Sequence, residues 1–179
     1  MKARIALLAL LVSTLAYARP QNAGRTPPRP TGFHAEFVVN LDEVQDKLME
    51  LAESTPAGKY SWRPAKDVRS ISEVYMHVAG ANYVLATYLG TPAPTPARDL
   101  EKSVTRKADV VVELQKSFDH LRAAAAKATD LEKQVKMFDG NTTSHRGVMM
   151  KALSHVHEHL GQSIAYARSN GVTPPWSRQ

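Results

Sequence analysis

The chain has 179 residues, room for one ordinary domain with a substantial core, and it has no cysteine. That excludes a disulfide framework, a thiolate nucleophile and a sulfur-ligated metal, so any metal must be bound through nitrogen and oxygen. The formal charge of +6 suggests a nucleic-acid partner, but residues 1–31 hold five basic residues and no acidic ones, which leaves +1 for residues 32–179. A near-neutral remainder without a basic patch interleaved with aromatics excludes nucleic-acid binding.

Lys2 and Arg4, an apolar run from Ile5 to Leu15 and the triplet Ala16-Tyr17-Ala18 have the form of a secretory signal peptide over residues 1–18. An uncleaved membrane anchor is the rival reading, and the shortness of the apolar run disfavours it. Residues 19–31, "RPQNAGRTPPRPT", offer almost nothing that could pack and read as a disordered tether. The expected location is therefore periplasmic or extracellular, with no stable membrane anchor after cleavage.

Residues 32–179 contain four runs of helical periodicity. The first spans Phe33 to Leu51, with Phe37, Leu41, Val44, Leu48 and Leu51 at steps of three and four, and stops at Pro56 and Gly58. The second opens on the capping-box sequence Ser70-Ile71-Ser72-Glu73 and runs to Leu89, with Gly90 in position for a left-handed terminal residue. Its apolar stripe is Val74, Val78, Ala81, Val84, Leu85 and Tyr88, and His77 stands in line with it. The third covers about residues 108–128, and the fourth runs from Ser144 to Ser169, before Asn170-Gly171 and Pro174-Pro175. Between these last two, "EKQVKMF" reads as a short extended piece or a helical turn. Four amphipathic helices and no strand pairs indicate an all-α four-helix bundle. The connection at residues 91–107 is long enough that helices 2 and 3 need not be antiparallel neighbours.

Three of the seven histidines fall in "HVHEH", residues 155–159. On a helix His155 and His159 stand about 40° apart, on one face, whereas His157 points about 160° away from both. The triplet therefore reduces to a pair able to share a metal ion and one outlier. His77 is the natural third ligand, because burying an unpaired imidazole in an apolar stripe is costly. Taken alone, His77 would read as a core histidine bonded to a neighbour. Periodicity does not prove that the pair faces inward, since the strongest stripe of the fourth helix is Met149, Leu153, Val156, Leu160, Ile164 and Ala167. His34, His120 and His145 read as solvated surface residues. The sequon Asn141-Thr142-Thr143 reads as polar residues that start the fourth helix. Glu158 is misplaced for the general base of an H-E-x-x-H protease.

The segments "YSWRPAKDVRSISEVYMHV" (60–78) and "HVHEHLGQSIAYARSNGVTPP" (155–175) resemble the DinB-like family, the DinB/YfiT superfamily. The carriers are Trp62-Arg63-Pro64, the lone His77, His155 and His159 followed by Gly161-Gln162, and the Asn-Gly…Pro-Pro ending. The resemblance implies an up-down-down-up bundle and a divalent metal, zinc or nickel, held by His77, His155 and His159. Its members include thiol-dependent S-transferases and isomerases, and proteins described as metal-dependent hydrolases. A signal peptide departs from the cytoplasmic setting where thiol cosubstrates are concentrated.

Three imidazoles leave a coordination position free to activate water at ordinary pH, as in catalytic sites. The expectation is an exported metal-dependent hydrolase or group transferase on a small molecule. The alternative is a noncatalytic metal-binding or scaffold bundle. No catalytic residue is singled out, and a homodimer is the one assembly considered. Glu73 is read as the helix cap in preference to a base near the metal, and Gln162 and Tyr166 are expected at the mouth of the site.

Overall fold

A computed structural model of the chain describes residues 32–94 and 99–177. The expected signal peptide and tether lie outside the described residues. Four long helices follow the periodic runs: α1 (Phe33–Ser54), α2 (Ile71–Tyr88), α4 (Lys107–Lys127) and α5 (His145–Ser169). A one-turn helix, α3 (Leu100–Ser103), interrupts the long connection, and a two-stranded antiparallel hairpin, β1 (Gln134–Lys136) and β2 (Thr142–Ser144), precedes α5.

The local chemistry explains the boundaries. At the start of α2, Ser70 Oγ accepts from the Glu73 N–H and the Glu73 carboxylate accepts from the Ser70 N–H at 2.6 Å, so the capping box forms in full. Gly90 follows α2 with φ of +87°, a backbone angle that strongly favours glycine. Ser144 caps α5 by accepting from the Gly147 N–H. The expectation that Asn141-Thr142-Thr143 starts this helix is corrected. Thr142 and Thr143 pair across the hairpin with Lys136 and Val135, and Asn141 O accepts from Met137 N–H at 2.8 Å in the turn. Gly140 supplies the positive φ that this turn requires. The segment read as an extended piece or a helical turn is thus a strand.

In cross-section the long helices form a ring, α1 and α2 each packing against both α4 and α5. His34 Nε2 donates to Ala128 O, Arg122 bonds Asp42, and Lys107 donates to Thr55 O, so α1 and α4 run antiparallel. The Arg146 guanidinium lies over the Phe33 ring at one end, while Thr55 borders the same small recess as Ser163 and Tyr166 at the other, so α1 and α5 run parallel. Ile71 lies near Tyr166 and Leu85 near Lys151, which makes α2 antiparallel to α5. Phe37, Leu48, Tyr75, Met76, Phe118, Leu121 and Met149 are fully buried between them. Among the described residues, no helix is long and apolar enough to cross a membrane.

Three histidine readings are corrected here. His34 is half-buried and ties the start of α1 to the end of α4. His120 is half-buried with its ring edge against Tyr83, the centroids 5.2 Å apart. His145 is buried, its ring enclosed at the first turn of α5. In each case a neighbouring element covers a position that looks exposed on its own helix.

Candidate metal centre

His77 projects from the middle of α2, and His155 and His159 from successive turns of the antiparallel α5. Burial on α5 is rotated from its strongest apolar stripe. Leu153 and Ile164 are only partly buried, while Val148, Ala152, Ser163 and Tyr166 are buried. That rotation turns the histidine pair inward, which periodicity left open. His157 points out and donates from Nδ1 to Leu153 O at 2.8 Å.

The three side chains converge. One ring nitrogen from each lies within 4.8 Å of the others, the only such cluster of three or more His, Asp or Glu among the described residues. Nε2 of His77 and Nε2 of His155 are 3.2 Å apart. Two nitrogens on a tetrahedral zinc are separated by about 3.4 Å, given zinc–nitrogen bonds of ~2.1 Å.

The outer nitrogens of two of the rings are held. His77 Nδ1 donates to the Glu101 carboxylate at 2.9 Å, and His159 Nδ1 donates to Gln162 Oε1 at 2.8 Å. With Nδ1–H bonded outward, a neutral ring has its Nε2 lone pair available for the centre, the tautomer a metal ligand needs. His155 Nδ1 is enclosed with no partner among the described residues. Burial lowers the pKa of His77 despite the opposing Glu101 bond, and burial beside two other imidazoles pushes His155 down to about 4. Both are therefore neutral at ordinary pH, and the donor set fits a divalent ion.

Two supporting residues sit elsewhere than expected, and one was not anticipated. Gln162 and Tyr166 stand behind His159 and not at a mouth: Gln162 Nε2 donates to the Tyr166 hydroxyl at 3.1 Å, and Trp62 packs edge-on against the Tyr166 ring. This gives Trp62 of the "WRP" segment a role behind the cluster. Glu73 serves the cap and pairs with Arg63 at 2.9 Å. Glu101, on α3, is the residue missed; it also accepts from Arg69 Nε at 2.8 Å. Burial would raise its carboxyl pKa, but the Arg69 and His77 bonds prevail and hold it below the usual range.

A cavity of about 390 Å³ opens beside the cluster, bordered by His77, His155, Arg69, Glu101 and the Ala81–Val84–Leu85 side of α2.

The DinB superfamily model matches residues 40–163. The chain belongs to the DinB superfamily. Its fold is similar to that of a DinB-like protein from Bacillus cereus ATCC 10987, with a TM-score of 0.68 and 17% identity over 78% of this chain and 93% of that one. The DinB-like protein YjoA from Bacillus subtilis is similar with a TM-score of 0.63 and 23% identity, over 77% of this chain and 93% of that one. At these identities the likeness concerns the fold alone. No curated protein matches the chain.

Proposed function

We propose that this DinB-superfamily chain is an exported metal protein that holds one divalent ion, zinc or nickel, on His77, His155 and His159. We further assign it a hydrolase or group-transferase activity on a small molecule. The observation that carries this reading is the cavity bordered by His77 and His155. An ion that merely braced the bundle would be sealed between α2 and α5, whereas His77 and His155, two of the proposed ligands, border open space. A divalent ion at three imidazoles supplies Lewis-acid activation of water or substrate when bound.

The chain's own residues do the rest. Glu101 and Gln162 fix the ring planes of His77 and His159 from outside, so the nitrogens are aimed before anything binds. The wall of Ala81, Val84 and Leu85 limits water on one side of the site. With no cysteine in the chain, the nucleophile is water or an incoming thiol. The leader-like start of the sequence supports export, which would set the protein apart from cytoplasmic thiol chemistry.

The deciding measurement is the metal content of the purified mature protein beside His77→Ala. The expected outcome is about one zinc or nickel ion per wild-type chain and at least a tenfold lower content in the variant. Equal metal in both would overturn the three-histidine assignment.

A further inference from the structure

The cavity beside the triad is chemically lopsided in a way that selects its occupant. Its inner wall is one stripe of α2, running from His77 through Ala81 to Val84 and Leu85, about 12 Å along the axis. At the outer end stands Phe138 from the hairpin turn, its backbone N–H held by the Tyr88 hydroxyl at 2.9 Å. Its side chain is 75% exposed, the most exposed of the three large hydrophobic residues that face out among the described residues. An aromatic ring whose backbone is anchored at the rim of an apolar cavity suits a ligand body sliding beneath it.

The charges are distributed unevenly. Arg69 is engaged by Glu101 at 2.8 Å, and Glu101 is engaged in turn by His77. Lys151, one turn before His155 on α5, has only a long 3.8 Å pairing with Asp139, and its side chain is half-exposed. Such a pair is weak and readily exchanged. Imidazoles are uncharged ligands, so they leave the charge of an ion at the triad unneutralised. The lining as a whole thus favours an anion, and Lys151 is its least committed cation.

We propose that this cavity takes a small organic carboxylate with a compact apolar body. The body lies on Ala81, Val84 and Leu85 beneath Phe138, the carboxylate pairs with Lys151, and the reacting end meets the triad. This substrate class rests on the metal-dependent reading for the reacting end only; the carboxylate subsite stands on Lys151 and the apolar stripe.

The test compares hydrocinnamate with hydrocinnamyl alcohol, two probes with the same apolar body, by titration calorimetry and amide shifts on the full-length mature protein whose zinc content has been measured. Hydrocinnamate should bind more tightly and move the amides of Ala81, Val84 and Leu85. Lys151→Gln should weaken hydrocinnamate about threefold to fivefold and leave the alcohol unchanged. Ala81→Phe should block both probes while zinc uptake persists. Equal binding of acid and alcohol overturns the proposal, as does an acid preference that Lys151→Gln leaves intact, which would place the carboxylate on the ion. If the protein takes up no zinc, the metal reading fails separately, and the same comparison on the metal-free protein still decides the Lys151 subsite.

Discussion

Glu101 ties Arg69 to one histidine of the cluster, accepting from His77 Nδ1 at 2.9 Å and from Arg69 Nε at 2.8 Å. Removing such a partner of a metal-ligating histidine costs about 10- to 100-fold in ion affinity. Glu101→Ala is therefore expected to raise the zinc dissociation constant by about tenfold or more in a chelator competition, with the helix content of the metal-free protein unchanged. Glu101→Gln keeps an acceptor oxygen and should recover part of the loss, an intermediate value that a purely structural role for α3 would not produce. At this scale the sequence was legible where geometry within one helix decides: the spacing of His155 and His159 selected the pair and dismissed His157. It was silent on Glu101, 24 residues from His77 in a connection with no apolar period. It misplaced His34, His120 and His145, because the elements that cover them lie elsewhere in the chain.

Among the elements, α2 shows the closest agreement between local signal and structure, since its capping box is written in four consecutive residues. Burial tends to raise the Glu73 carboxyl pKa, but the Ser70 N–H and Arg63 outweigh it and hold it below the ordinary value. A carboxyl whose folded pKa is depressed adds stability that is fully present above its unfolded pKa and is lost as pH falls through the folded one. Wild type should therefore exceed Glu73→Gln by about 0.5–1 kcal/mol at pH 7 and low salt, because the glutamine keeps the acceptor but not the charge at the helix start. The gap should close as pH falls below the ordinary glutamate range, read from denaturant melts at successive pH values. A constant gap would show that the charge contributes nothing. The hairpin before α5 was less legible, for its strands are too short for alternation to stand out and its pairing spans a turn that looks like helix-capping sequence.

For the molecule as a whole, the apolar periods alone were enough to give four helices and their approximate ends. Which helices adjoin was not contained in them, because ring order depends on contacts between runs far apart in sequence. The broadest contact joins α2 and α4, and Phe118 of α4 is fully buried in the common core. Phe118→Ala should lower the unfolding free energy by about 3–5 kcal/mol without altering the spacing of the histidines. Denaturant titration checks the first part; retained zinc binding by the folded fraction checks the second.

The imidazoles are carried by two long rods, α2 and α5, whereas Glu101 and Phe138 come from a one-turn helix and a hairpin turn between the rods. The three imidazoles and part of the lining around them are thus carried by separate stretches of chain. Exchanging the exposed Phe138 is expected to alter the edge of the cavity and leave all three imidazoles where they are. In this scaffold the cavity's edge can vary by a turn residue while the histidine cluster stays held by the two rods.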